Sequence, residues 1–251
     1  MNIEATKDLL YRMADDELII GHRNSEWTGL GPILEEDIAF SSMAQDKIGH
    51  AKALYEIMHT LLGEDSPDKL AFGRKEEQYR CCHLVEHPIG EFDFSLVRHF
   101  LFDHSELLRY EMLKESSFTP LAQLSKKIFG ELKYHVLHAD TWMKQLANGT
   151  EESRARLQSS LNECYPLALA IFEEGDFEKE IIDSGVFTGE GVLKEKWMET
   201  IQTKAAECGL TLPADDGSEH FGGRKGYHTE HLKPMLNEMT EVFSLDPNAE
   251  W

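Results

Sequence analysis

The sequence has no long apolar run. Nowhere does it approach the roughly 18 uninterrupted apolar residues that a membrane-spanning helix requires, so a transmembrane architecture is not expected. Its opening, Met1-Asn2-Ile3-Glu4-Ala5-Thr6-Lys7-Asp8, has neither the basic start nor the apolar stretch of a secretory leader, which predicts a cytoplasmic protein. Cysteine is scarce: Cys81, Cys82, Cys164 and Cys208, with no CxxC pair. Zinc-ribbon and iron–sulfur frameworks are thereby excluded, and adjacent cysteines make a poor start for a structural disulfide. Reduced thiols in a reducing compartment are the simplest reading. Positive charge is also scarce. With 25 Lys and Arg against 46 Asp and Glu, the formal charge is -21, which repels phosphate backbones and makes nucleic acid an unexpected partner. The P-loop, the Gly-x-Gly-x-x-Gly fingerprint and the Ser-His-Asp elbow are all missing.

What the sequence does have is helical periodicity in an apolar fraction of 41%, enough for a substantial core. One helix is predicted over about 6–23. A second follows Pro32, with Glu35, Glu36 and Asp37 suiting its N-terminal dipole, and stops at Gly63. Residues 69–91 read as short helices and turns. Further long helices cover about 92–115, 120–148 and 150–174, then about 191–208, with a last one after Glu230. Period-two alternation is scarce, so no sheet is predicted. The fold class is all-α: a single domain over 1–251, with a core bundle over about 5–148 and a helical extension over about 150–251. Four long helices with one long crossover between the second and third match a ferritin-like four-helix bundle.

Acids interrupt the apolar stripes. The second helix reads Ala39, Met43, Asp46, His50, Ala53, Ile57; the third reads Leu96, Phe100, Asp103, Leu107, Tyr110; the fourth carries Glu131, His135 and His138 between Ile128 and Trp142. The first helix offers Asp15, Asp16 and Glu17. An ionised carboxylate in a helical core is expensive unless paired, hydrogen-bonded or bound to metal, so these acids predict a shared polar centre. Di-iron carboxylate bundles build such a centre from one acid on each of two helices and a Glu-x-x-His pair on each of the other two. Here Asp46 is followed at i+3 by Gly49 and Glu131 by Tyr134, while His50 and His135 sit at i+4. An i+4 residue still faces the same side. Two readings therefore stand: a metal site, or a remnant centre of Lys–carboxylate and His–carboxylate pairs built from Asp15, Asp46, His50, Asp103, Glu131 and His135, with Lys47 and Lys127 nearby. The His83/His87 and His99/His104 pairs are expected at the surface or behind such a centre. Near the C-terminus, Gly222-Gly223-Arg224-Lys225-Gly226 sets two cations among glycines, and His228-Thr229-Glu230-His231 looks superficially like a metal cluster but reads more simply as a helix start. Arg224, Lys225, His228 and His231 are the candidate partner-contact residues.

Several runs in order carry a resemblance: Ser25-Glu26-Trp27, Leu34-Glu35-Glu36-Asp37-Ile38-Ala39, Asp46-Lys47-Ile48-Gly49, Leu70-Ala71-Phe72, Leu84-Val85-Glu86-His87-Pro88-Ile89-Gly90, Glu131-Leu132-Lys133-Tyr134-His135, Asn148-Gly149-Thr150 and Gly223-Arg224-Lys225-Gly226-Tyr227-His228-Thr229-Glu230-His231-Leu232. The chain resembles, over nearly its whole length, the PaaC family, whose members are the C component of bacterial phenylacetyl-CoA epoxidases. The resemblance implies a ferritin-like fold without a working di-iron centre and with no catalytic residue or cofactor of its own. It also implies a hetero-oligomer with a related catalytic component, the A component, which holds the di-iron and epoxidises phenylacetyl-CoA with O2, fed by a separate flavin and iron–sulfur reductase. A homodimer is a further possibility. The alternatives are a chain that itself binds iron as an oxygenase or ferroxidase, and a stand-alone adaptor for another acyl-CoA enzyme.

Overall fold

Helix signals at the sequence level account for most element boundaries in the computed structural model, which describes residues 2–214 and 216–246. The described residues contain α-helices and short 3-10 turns, without strands. Helix α1 spans Ile3–Ser25 and opens on Asn2, whose side chain accepts from the Ala5 amide at 3.2 Å. Helix α2 spans Leu34–Leu62 and ends where Gly63 turns left-handed at φ 78°, a backbone state that glycine adopts without strain. The crossover holds α3 (Pro67–Phe72) and α4 (His83–Glu86). Helix α5 spans Phe92–Leu113 and α6 spans Thr119–Ala147, with Pro120 in its first turn. Helix α7 (Glu151–Leu169) is capped by Thr150, and α8 (Glu178–Asp183), α9 (Glu190–Glu207) and α10 (Leu232–Met239) follow. Helix α8 has no counterpart among the expected elements, and the helix expected over 150–174 ends five residues early in a 3-10 turn at Ala170–Phe172.

The packing is bundle-like. Helix α1 lies along α2, α5 lies along α6, and α2 meets α6; α7 and α9 cover α5 from outside. One contiguous apolar cluster runs from α1 to α10. Trp197 of α9 is fully buried in it, stacked on Tyr165 at 5.7 Å between centroids, with its indole N–H donating to the Leu101 carbonyl at 2.8 Å. Burying an indole of this size removes roughly 150–250 Å² from water, about 4–6 kcal/mol at 25 cal/mol per Å². A smaller cluster of Trp27, Phe40 and Met43 closes the end of the bundle near Ile89. All four cysteines are buried free thiols, as their spacing suggests.

Candidate functional site: the polar centre of the bundle

Three consecutive acids of α1 point in three directions, because each helical residue turns about 100° from the last. Only Glu17 enters the four-helix interior. Asp15 faces the crossover, where it accepts from Tyr55 Oη at 2.5 Å, from Arg74 Nη1 at 3.0 Å and from the Arg80 amide at 2.7 Å. Asp16 faces the C-terminal segment, where Arg224 takes it. Asp15 is the first-helix acid expected in the centre; the structure corrects that assignment, because Arg74 and Tyr55 hold Asp15 at the crossover while Glu17 takes the inward direction.

Lys47 occupies the middle. Its side chain is fully buried, with Nζ 2.9 Å from Asp103 Oδ1 and 3.4 Å from Glu17 Oε2, and 4.8 Å from the Phe102 ring centroid. Burial opposes the charge on both sides of this contact, yet the attraction prevails. Asp103 is held well below the usual carboxylate range and Glu17 is also lowered, while Lys47 is raised. Glu106, on α5 one turn beyond Asp103, goes the other way. Its burial and the adjacent Glu17 push it well up, against the pull of Arg109, whose Nε lies 3.4 Å from Glu106 Oε1. Within the interior Lys47 and the His50 ring face the carboxyls of Glu17 and Asp103.

Each histidine of the centre carries an acid. His50 places Nδ1 3.3 Å from Glu17 and Nε2 2.8 Å from Glu131. Burial works against a charged ring, but carboxylates on both nitrogens outweigh it and raise His50 above its ordinary value. His135 lies 3.0 Å from Asp46 and 4.0 Å from Asp103, its ring stacked 6.4 Å from that of His50. His99 bonds Asp103 at 2.8 Å and Asn24 at 2.7 Å; here burial dominates and lowers the ring. His138 and the Trp142 indole both reach Glu36. Thus Asp46, His50, Asp103, Glu131 and His135 do come together. Asp46 and Glu131, however, lie at the rim, 39% and 35% exposed. Lys127 reaches Glu131 only at 3.9 Å and is itself exposed. Of the two places expected for His99 and His104, the surface fails and the position behind the centre fits His99: both are buried, His99 on Asp103 and His104 3.0 Å from Asp140.

A second polar layer has no local sequence signal. Arg12 and Arg109 both contact Glu190 Oε1, at 3.0 and 2.6 Å, beneath the centre. Arg224 belongs to this interior rather than to a mobile loop. It is 3% exposed, forks onto Asp16 at 2.8 and 2.7 Å, and donates to the carbonyls of Arg12, Arg80 and Ile171. The glycines around it permit close approach: a Cβ on Gly223 would lie 2.2 Å from the Cys81 carbonyl oxygen. His228 is likewise committed inside the chain, 2.7 Å from Glu86. The His231 ring lies against His87, 5.0 Å between centroids, and Lys225 is exposed.

The structure is thus an all-α, bundle-like protein whose interior is organised by ionic pairs between facing helices. The chain belongs to the phenylacetic acid catabolic protein family, which it matches over residues 1–251. It is 31% identical over 240 residues to the C component of the 1,2-phenylacetyl-CoA epoxidase of Escherichia coli K12, covering 96% of both chains. It is 23% identical over 223 residues to the A component of the same epoxidase in that organism, covering 86% of this chain and 70% of the relative.

Proposed function

We propose that this chain is a non-catalytic, C-type component of a cytoplasmic multicomponent di-iron oxygenase that epoxidises phenylacetyl-CoA during aerobic phenylacetate degradation, assembled with an A-type component that carries the iron. The similarity to the Escherichia coli C component over 96% of both chains supports the complex. The observation that carries the non-catalytic reading is Lys47. Its Nζ stands between Glu17 and Asp103, where two metal ions would need those carboxylates as ligands. Glu106 adds a carboxyl already engaged by the Arg109 guanidinium at 3.4 Å. The residues present therefore do not fit a di-iron centre. A fixed monovalent cation supplies the counter-charge, and the helices keep a bundle geometry suited to standing beside a related chain.

The same geometry supports a single ferritin-like domain, in which α1, α2, α5 and α6 are the bundle and the later helices a buttress. Asp46 and Glu131, partly exposed and each hydrogen-bonded to a buried histidine, favour a second reading in which the rim binds iron. Reconstitution separates the two. Phenylacetyl-CoA epoxidation by the complex with reductase and an A-type component is expected to survive Asp46→Asn and Glu131→Gln in this chain. Turnover abolished by either change in a complex that still assembles would reject the non-catalytic reading.

A further inference from the structure

A second cluster of ligand-type side chains lies away from the bundle centre, where the crossover meets the C-terminal segment. Cys81 and Glu86 are buried there, and the His228 side chain is covered although the residue as a whole is half-buried. Cys81 Sγ is 3.6 Å from Glu86 Oε1 and 3.9 Å from His228 Nδ1, and His228 Nδ1 is 2.7 Å from the same Glu86 oxygen. Tetrahedral zinc bonds of about 2.3 Å to sulfur and 2.0–2.2 Å to nitrogen and oxygen place such ligands about 3.6, 3.6 and 3.4 Å apart. Two of the three separations already match within a few tenths of an ångström. The third is short because a proton lies between His228 and Glu86, and an ion in its place opens it.

The surroundings are those of ligands held for a metal. His228 Nε2 lies 3.2 Å from the Tyr79 carbonyl, to which its N–H donates. That contact orients the ring and turns Nδ1 toward Cys81 and Glu86, the arrangement that orients metal-bound histidines. The other oxygen of Glu86 accepts from the Thr229 amide at 2.7 Å and its hydroxyl at 2.6 Å, leaving Oε1 for the ion. The nearby acids Asp15 and Asp16 are each committed to an arginine and do not compete. Burial pushes the Cys81 thiol well up, and burial also works against ionised Glu86, whose hydrogen bonds from His228 and Thr229 nevertheless hold it low.

We propose that Cys81, Glu86 and His228 form a three-ligand site for a zinc-class divalent cation that clips the C-terminal segment to the crossover. Binding displaces the Cys81 thiol proton and the proton between His228 and Glu86, so one M²⁺ enters, two H⁺ leave, and the site's net charge is unchanged. The clip joins residues 147 apart in sequence, and a link across so long a loop restricts the unfolded chain strongly. In the sequence His228 reads only as part of a helix start; Cys81 and Glu86 come from a different segment, so the site appears only in three dimensions.

The test uses the full chain, reduced and stripped with a chelator, then titrated with Co²⁺ and with Zn²⁺. One ion per chain, a thiolate-to-cobalt charge-transfer band, and a Tm rise of about 5–10 °C at a hundredfold excess over Kd are expected. Cys81→Ser should remove the band and Cys82→Ser should keep it. If Cys81→Ser does not fold, X-ray absorption of the zinc-loaded wild type decides, with one sulfur among nitrogen and oxygen neighbours expected. Failure to take up one ion per chain, a band that survives Cys81→Ser, or a shell of nitrogen and oxygen alone would each overturn the proposal.

Discussion

Replacing Lys47 with methionine keeps most of the side-chain volume and removes the one ammonium between Glu17 and Asp103. Lys47 is fully buried, with contacts of 2.9 Å to Asp103 and 3.4 Å to Glu17. Breaking a buried pair from one side leaves its partner uncompensated, at a cost of about 3–5 kcal/mol. In a chain of this size each kcal/mol moves Tm by about 2–4 °C, so the expected fall is roughly 6–20 °C. The pH dependence carries more information than the fall itself. In the wild type Asp103 and Glu17 are lowered by Lys47. Their stabilisation is therefore present above the unfolded carboxylate range, near pH 4, and is lost as pH drops through the folded values. Without the ammonium, burial raises the same carboxyls, so the variant gains stability relative to the wild type as pH falls. Urea denaturation at pH 8 and pH 5 should show the larger gap at pH 8. Adding Asp103→Asn to Lys47→Met should restore part of the loss, giving a coupling of about 1–3 kcal/mol in a double-mutant cycle. A loss below about 1 kcal/mol, or a gap of equal size at both pH values, contradicts the charge balance inferred for the interior.

The same contacts set further outcomes. His50 is raised by Glu17 and Glu131, so its contribution is complete below the unfolded histidine value near pH 6.5 and fades as pH rises through the folded one; His50→Gln should therefore destabilise more at pH 6 than at pH 9 in urea titrations. Arg224→Met should cost about 3–5 kcal/mol in unfolding free energy, because it strands Asp16 and three carbonyls, whereas Lys225→Met, at an exposed position, should stay within about 0.5 kcal/mol. Trp197→Ala should cost about 3–5 kcal/mol by the same assay, through the void left against Tyr165 and Phe172.

Much of the helix layout is legible because its signals are local. Pro32, Gly63, Pro120 and Thr150 mark ends that fall within two residues of those observed. The polar centre is legible as an expectation that buried acids must share something, and His50, Asp103 and His135 are buried as the stripes place them, but Asp46 and Glu131 fall one residue off the buried face. On α2 the buried face runs through Phe40, Met43, Lys47, His50 and Leu54, so Lys47 lies inside and Asp46 at the edge. A lysine in that stripe looks like a solvated residue until its acceptors on α1 and α5 are known. On α6 the buried positions are Ile128, Leu132, His135 and Ala139, which puts Glu131 at the rim. Arg224 misleads for the opposite reason. Glycines around a cation suggest mobility, yet here they admit a neighbouring backbone, and Asp16, 208 positions away, gives no local sign of the pairing.

Lys47 stands between Glu17 and Asp103, and iron uptake tests most directly the proposal that this cation takes the place of a di-iron centre. The isolated chain, reduced and loaded anaerobically with ferrous iron, should hold no near-stoichiometric iron that depends on the bundle residues, and any residual iron should be unchanged in Glu131→Ala. Iron bound close to one or more per chain in the wild type, and lost in a folded Glu131→Ala variant, would contradict it.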